Sequence, residues 1–230
     1  MDIKFVGNNC KKGIENIAGA AGLLPQYSFI IAGSGPDEDM LKVAINNKID
    51  FDALASSVAL GILMRNLNKE CYIVSNDDEC SMGKNIKDMY SKLKNFVPFI
   101  NVDLLKSMRN NNNELLITVD TNKKDLVPVG DILNTFNDIV IIDHHNTDEN
   151  TIKTNCVLIN QEMSSTCEIL VTLLKQFDFP LKGYLAQCLL TGIYLDTGML
   201  TRNFKENTAL TIAELIRLGA DTSLVLNNFI

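Results

Sequence analysis

The chain has 230 residues, of which 46% are hydrophobic, and a formal net charge of −7 at pH 7. This supplies enough apolar side chains for a large hydrophobic core, and no run of lysine or arginine offers the positive surface that duplex nucleic acid requires. No apolar stretch approaches the roughly 18 residues of a membrane span, and the N-terminus lacks the apolar segment of a signal peptide. We therefore expect a cytoplasmic protein with no membrane span in this chain and no duplex nucleic acid partner.

The cysteine pattern also indicates a cytoplasmic protein. The cysteines are scattered, form no C-x-x-C pair and have mostly apolar neighbours, which predicts reduced thiols in the core of a cytosolic protein. The six are Cys10, Cys71, Cys80, Cys156, Cys167 and Cys188.

Predicted strands and helices alternate along the chain. Short apolar runs predict strands at 3–6, 28–32, 42–45, 70–74, 115–119, 138–142 and 156–159. Helical periodicity predicts helices at 13–23, 52–67, 83–95, 164–177, 181–194 and 206–218, with a shorter segment from 223 onward. This alternation predicts an α/β fold, with a mostly parallel sheet and helices on both faces, as in Rossmann-like domains.

Carboxylates follow two of the predicted strands. Asp50 and Asp52 come after the third strand, in Asp50-Phe51-Asp52-Ala53, and Asp120 comes directly after the fifth. Taken alone, Asp52 would be interpreted as the N-cap of a helix, and Asp120 would be interpreted as a turn residue. Their position at strand ends is also where open α/β sheets place their chemistry.

Two further motifs lie later in the chain. The only histidines, His144 and His145, follow the sixth strand in Asp143-His144-His145, and Asp196 ends an apolar helical stretch. A polar strand end and a polar helix end are the simpler interpretations of each motif alone. Between these motifs, Ser165 and Glu168 have the spacing of a helix capping box.

Together these residues form a set of hard ligands. Asp50, Asp52, Asp120, His144 and Asp196 offer carboxylate oxygens and one imidazole at a single sheet edge, which suits Mn²⁺ or Mg²⁺ better than a thiolate zinc site. Two such ions can activate a shared water and neutralise a phosphate. The set therefore predicts metal-assisted hydrolysis of a phosphoester.

From about Lys42 to the C-terminus the four motifs, in this order, resemble the DHH phosphoesterase superfamily. The stretches 50–53, 119–127 and 164–168 most resemble its cyclic di-AMP phosphodiesterase branch, and the oligoribonuclease branch is nearly as close. The resemblance implies that Asp50 holds one metal ion, that Asp52, His144 and Asp196 hold the other, and that Asp120 bridges the two. It implies that Asp120, His144 and His145 act in catalysis, with His145 facing the phosphate or supporting the ligands.

The chain departs from the pattern of this family in two places. The family opens its first motif with a histidine, and the matching residue is Asn46, whose amide is a poor ligand for manganese. We expect the metal on the Asp50 side to bind weakly or to be absent. We also expect residues 42–230 to form the DHH domain without the C-terminal substrate-binding domain. The apolar surface where that domain would dock could favour a homodimer.

Residues 1–41 resemble another family. The stretches Phe5-Val6-Gly7, Lys12-Gly13-Ile14-Glu15 and 27–36 are similar to the β-α-β start of a GT-B glycosyltransferase, which predicts a short appendage. A simple structural β-α-β unit is the plainer interpretation, since Gly33 to Pro36 is too short for a phosphate loop.

The leading hypothesis is a manganese-dependent phosphodiesterase that hydrolyses a small nucleotide, such as cyclic di-AMP or a short oligoribonucleotide, by a two-metal mechanism. A catalytically degenerate domain that binds a nucleotide or a partner is the alternative, because Asn46 replaces the expected histidine. A glycosyltransferase fragment is a third hypothesis, which depends on the N-terminal resemblance alone.

Overall fold

The computed structural model describes residues 28–33 through their backbone, and residues 51–75, 82–109, 114–136, 138–154 and 156–229. The elements predicted at 3–6, 13–23 and 42–45 lie outside the described residues. No helix in the described ranges is long and apolar enough to cross a lipid bilayer.

Strands and helices alternate as the sequence predicts. The strands are β1 (Ser28–Gly33), β2 (Glu70–Val74), β3 (Phe99–Ile100), β4 (Glu114–Val119), β5 (Asp138–Asp143) and β6 (Cys156–Ile159). The helices are α1 (Phe51–Asn66), α2 (Lys84–Leu93), α3 (Val102–Met108), α4 (Thr166–Gln176), α5 (Tyr184–Asp196), α6 (Glu206–Arg217) and α7 (Thr222–Phe229). Short 3-10 turns at Lys124–Leu126 and Gly130–Thr135 connect β4 to β5.

The strands form a single parallel sheet in the order β3-β2-β1-β4-β5-β6. The predicted α/β fold with a parallel sheet is therefore confirmed. The chain first builds outward from β1 to β3, then returns to the other side of β1 with β4. In open parallel sheets the crevice at such a reversal, at the carboxyl ends of the strands, is where ligands bind.

Apolar layers cover both faces of the sheet. Successive strand residues point to opposite faces, so Ile117 and Ile142 pack against α1, α4 and α5, while Leu116 and Ile141 lie in a second cluster with Leu105 of α3. Near-continuous apolar strands are typical of a sheet that is buried on both sides.

Two short elements were not predicted. β3 has only two residues, too few to show an alternating pattern. Helix α3 buries Leu105 alone and therefore has no apolar stripe; it begins at Asn101, whose side chain accepts a 2.8 Å hydrogen bond from the backbone N–H of Leu104.

The N-terminal strand lies inside the sheet. Residues 28–33 pair with β2 on one side and with β4 on the other. This strand falls within the range 1–41, for which the sequence predicts a separate appendage. In the structure, β1 is instead part of the main sheet. The boundary at residue 41 and the glycosyltransferase resemblance stay predictions, because the rest of that range lies outside the described residues.

Candidate metal centre

The carboxyl ends of β4 and β5 bring three of the predicted site residues together. Asp120 directly follows β4, and its backbone N–H donates to the carbonyl of Ile142 in β5 at 2.9 Å. Asp120 has a φ of +61°, in the left-handed region that aspartate tolerates better than most residues. His144 and His145 directly follow β5. The strand ends therefore turn a buried carboxylate and two imidazoles toward one crevice.

Asp52 enters the crevice from helix α1. It is 1% exposed, and its two carboxylate oxygens accept hydrogen bonds from the start of α4: Oδ2 from the N–H of Thr166 at 2.7 Å and Oδ1 from the N–H of Cys167 at 2.8 Å. Interpreted alone, Asp52 suggested an N-cap of its own helix, and that prediction was wrong. The side chain satisfies free N–H groups of another helix and lies at the positive end of its dipole.

Asp196 is the last residue of α5, and its side chain is partly exposed. Its Oδ2 lies 3.5 Å from His144 Nε2. The helix ends where the chain reaches the crevice, which brings this carboxylate within 4.8 Å of the ligand atoms of Asp52 and His144.

The His144 ring lies at the centre of the three carboxylates. Its Nε2 is 3.5 Å from Asp196, 3.6 Å from Asp120 Oδ1 and 4.0 Å from Asp52 Oδ2. These separations exceed the roughly 2.7–3.2 Å of an ordinary N–H to O hydrogen bond. They fit ligands around one ion: bonds of about 2.1 Å place two ligand atoms about 3.0 Å apart at a right angle and about 4.2 Å apart when opposite.

Two groups of side chains could hold a metal ion. One consists of Asp52, His144 and Asp196, and the other of Asp120, His144 and His145; within each group the ligand atoms lie within 4.8 Å of one another. The His145 nitrogen near Asp120, Nδ1 at 3.8 Å, is also 2.8 Å from Asp143 Oδ1. A protonated Nδ1 that donates to Asp143 cannot also ligate a metal. The first group therefore fits an ion better.

The chemistry of these donors suits a hard divalent cation. Carboxylate oxygens with one imidazole are typical ligands for manganese or magnesium, and the four cysteines of the described residues contribute none of these ligand atoms. Several acidic side chains buried in one crevice also favour a cation that balances their charge. The residues present therefore fit the predicted metal.

Asp143 is a buried carboxylate beside the candidate site to which the sequence assigned no role. It is fully buried, and its Oδ1 accepts hydrogen bonds from the backbone N–H of His144 at 2.8 Å, from the N–H of His145 at 3.2 Å and from the His145 ring at 2.8 Å. Its Oδ2 accepts a 2.6 Å hydrogen bond from Asn122 Nδ2. The carboxylate thus orients both histidines. An aspartate directly before paired histidines was the signal available in the sequence.

The loop that follows the histidines is fixed to the end of β4. Lys123 Nζ lies 2.5 Å from Asp148 Oδ1 and 3.3 Å from Thr151 Oγ1. The hydrogen bond from Lys123 holds the pKa of Asp148 below its usual value. The loop therefore has a defined place beside the crevice.

Only one of the two hydrogen bonds of the predicted capping box is present among the described residues. Ser165 is the N-cap of α4 and accepts a 3.1 Å hydrogen bond from the N–H of Glu168, as expected. The reciprocal half is wrong, because Glu168 Oε2 accepts from the N–H and hydroxyl of Ser164 and from the hydroxyl of Thr208. Glu168 thereby ties the start of α4 to the start of α6.

Helix α5 approaches this region closely at Gly192. A Cβ at this position would lie 2.5 Å from Cys167 Sγ and 3.3 Å from both Cα and Oδ1 of Asp52. Only glycine allows α5 to pack this closely against α1 and α4. The sequence contained this glycine in the Asp196 motif but gave no reason for it.

Two predicted positions, Asp50 and Asn46, lie outside the described residues. The predicted roles of Asp50 as a ligand of the second ion and of Asn46 as a weak substitute for histidine therefore stay predictions.

Solved structures share the fold. An exopolyphosphatase-related protein from Bacteroides fragilis superposes with a TM-score of 0.70 at 19% identity, over 94% of this chain and 59% of that one. A putative family II inorganic pyrophosphatase from Methanococcus jannaschii superposes with a TM-score of 0.56 at 15% identity, over 88% of this chain and 59% of that one.

Curated relatives are similar at modest identity. The cyclic-di-AMP phosphodiesterase GdpP of Bacillus subtilis is 29% identical over 76% of this chain, and PdeA of Listeria monocytogenes is 28% identical over 76%. A membrane protein–large ribosomal subunit bL9 fusion protein of onion yellows phytoplasma is 25% identical over 75%. The matches span 27%, 27% and 21% of these relatives, so the chain corresponds to about a quarter of their length.

The family comparison covers the larger part of the chain. Residues 42–193, which include Asp52, Asp120 and both histidines and end just before Asp196, match the model described as "DHH family, N-terminal domain". Together with the parallel fold and the acidic crevice at its carboxyl edge, this match shows that the chain belongs to the DHH family, whose members are phosphoesterases.

Proposed function

We propose that this chain is a metal-dependent phosphodiesterase domain that hydrolyses a small nucleotide by a two-metal mechanism. The observation that carries the proposal is the convergence of Asp52, Asp120 and Asp196 on His144 Nε2, at 3.5–4.0 Å, where the order of the parallel strands reverses. Three carboxylates around one imidazole form a site that favours a cation and, through it, a phosphate.

The residues of the chain divide into ligands and supports. Asp52, His144 and Asp196 would hold one ion, and Asp120 would bridge to a second ion on the side of Asp50. When bound, the ions would lower the pKa of a shared water and offset the charge of the phosphate. Mn²⁺ is the proposed ion and Mg²⁺ the alternative, since both accept oxygen and imidazole ligands.

His145 is placed for a different task. Its Nδ1 donates to Asp143 Oδ1, which leaves Nε2 as the second nitrogen of a ring that is half exposed. The fixed tautomer and partial exposure support a role at the phosphate: Nε2 can accept or donate a proton at a phosphate oxygen.

Cyclic di-AMP is the first substrate to test. Two curated relatives that match most of this chain are named as cyclic-di-AMP phosphodiesterases, and short oligoribonucleotides are the alternative substrate. The net charge of −7 does not favour duplex nucleic acid. Formation of a homodimer stays a prediction.

Asn46 favours a second candidate function. If this residue occupies the place of the family histidine, the ion on the side of Asp50 loses its imidazole ligand. The chain would then bind a nucleotide or a partner protein without cleaving it. The same substitution series tests both candidates.

The decisive experiment measures hydrolysis of cyclic di-AMP and of a di-adenylate by chromatography, with Mn²⁺ and with Mg²⁺. The variants are Asp120→Ala, Asn46→His and a matched control, Asp138→Ala. Asp138 is an exposed carboxylate at the opposite end of β5 from the histidines, so its loss should leave turnover unchanged. Asp120→Ala should abolish turnover.

The outcomes separate the two functions. Turnover by the unmodified chain supports the phosphodiesterase. Activity in Asn46→His alone supports the degenerate binding domain, since the rest of the catalytic apparatus would then be intact. If no variant cleaves either nucleotide and calorimetry detects no Mn²⁺ binding, the proposal is refuted.

A further inference from the structure

Two of the three carboxylates beside His144, Asp52 and Asp120, share one neighbour, Thr166. This residue is fully buried at the first position of α4. Its hydroxyl donates to Asp120 Oδ1 at 2.8 Å, and its backbone N–H donates to Asp52 Oδ2 at 2.7 Å. A single residue therefore contacts two carboxylates that come from different elements, α1 and the end of β4.

The start of α4 is itself held in place. Ser165 caps the helix, Glu168 binds Ser164 and Thr208, and Cys167 donates its N–H to the second oxygen of Asp52. Because both oxygens of Asp52 are bonded to consecutive backbone N–H groups, its carboxylate plane is fixed relative to the helix.

The hydroxyl of Thr166 performs the corresponding task for Asp120. The backbone of Asp120 is in the left-handed region, and Oδ1, the oxygen that Thr166 contacts, also lies 3.6 Å from His144 Nε2. Rotation of this carboxylate would move the oxygen away from the imidazole. The hydrogen bond from Thr166 therefore restrains the rotation that decides whether Asp120 faces His144.

We propose that Thr166 is a positioning residue that sets the orientations of Asp52 and Asp120 relative to each other before any ion binds. The effect of Thr166 on metal affinity rests on the proposed function. Its hydrogen bonds to the two carboxylates do not depend on that function. Threonine fits this place because one side chain offers a donor to Asp120 while its backbone N–H, at the helix start, has no partner within α4. Ordinary helix capping is the task of Ser165, so it does not account for the Thr166 hydroxyl.

The test compares Thr166→Val with Thr166→Ser. Valine has nearly the shape of threonine and keeps the backbone N–H, but lacks the hydroxyl. Serine keeps both donors. The matched control is Thr172→Val, later on the same helix, where the hydroxyl bonds the carbonyl of Glu168 within the helix. Isothermal titration measures Mn²⁺ affinity, and urea unfolding of the metal-free variants measures stability.

Loss of a group that orients a ligand typically weakens metal binding by about 10- to 100-fold. We expect such a loss in Thr166→Val, and an affinity within about threefold of the original in Thr166→Ser and Thr172→Val. If the original chain binds Mn²⁺, equal affinities for Thr166→Val and Thr172→Val would overturn the proposal.

A metal-free measurement separates this proposal from the proposed function. In a double-mutant cycle, Thr166→Val and Asp120→Ala, each of which removes one partner of the hydrogen bond, should be coupled by about tenfold or more in the unfolding equilibrium, as for hydrogen bonds to charged groups, and Thr172→Val should not be coupled to Asp120→Ala. No coupling with Thr166 would overturn the positioning role. Intact coupling in a chain that binds neither Mn²⁺ nor Mg²⁺ and cleaves neither nucleotide would support the positioning role and refute the phosphodiesterase.

Discussion

Gly192→Ala should loosen the packing of three helices around Asp52. The new Cβ would lie 2.5 Å from Cys167 Sγ, more than 1 Å inside normal contact, and Cys167 is fully buried and cannot move into solvent. Overpacking of this kind costs about 1–3 kcal/mol, and the severity of the overlap places the cost near the upper end. The higher helix propensity of alanine returns about 1 kcal/mol. The net loss of stability is about 2 kcal/mol.

This loss can be measured by urea unfolding or as a fall in Tm of about 4–8 °C. The double variant Gly192→Ala with Cys167→Ala removes the clashing sulfur and should be coupled favourably by at least about 1 kcal/mol. Cys188→Ala removes another buried thiol of α5 and should give no such rescue. The reasoning is refuted if Gly192→Ala is as stable as the original chain, or if Cys188→Ala rescues it as well as Cys167→Ala.

Two further predictions concern buried groups. Asp143→Asn places an NH₂ group against either Asn122 or the His145 ring. Mn²⁺ affinity, measured by calorimetry, should therefore fall about 10- to 100-fold. An unchanged affinity would contradict the role of Asp143 in orienting the histidines. Burial raises the pKa of Cys71 and of Cys188 from 9.0 to about 12. Iodoacetamide at pH 8 should therefore label neither thiol in the folded chain, as measured by mass spectrometry. The partly exposed Cys156 should react. Because these pKa values are raised, the stability that the two thiols contribute is complete below pH 9 and is lost as the pH rises toward 12; alkaline unfolding curves that stay flat over this range would contradict the assignment.

The sequence predicted the parts of the fold that have strong local signals. Strands β2 and β6 have the predicted bounds, and α6 begins at Glu206 as expected and is followed by Gly219 with a φ of +99°. Apolar runs and a glycine after a helix determine such elements locally. Helix α3 had no comparable signal, because a single buried leucine produces no periodicity.

The candidate site also has features that the sequence could predict and features that it could not. The residues that converge on His144 were predicted because each follows a predicted strand or ends a predicted helix, and parallel strands bring such ends together. The contacts between Asp52 and the start of α4 could not be predicted, since they join residues separated by 114 positions or more. The sequence also could not show that Asp52 would cap a distant helix, because local spacing describes only the helix in which a residue lies.

Strand β1, Ser28–Gly33, has a structural importance that its sequence did not suggest. Its backbone pairs over five residues with β2 and over six with β4, so it joins the β2–β3 half of the sheet to the half that supplies Asp120, Asp143 and the histidines. A chain shortened to begin after Gly33 would have two half-sheets, each with a bare inner edge open to pairing with other chains. The integrity of the sheet edge that carries the candidate metal centre therefore depends on the backbone pairing of this strand.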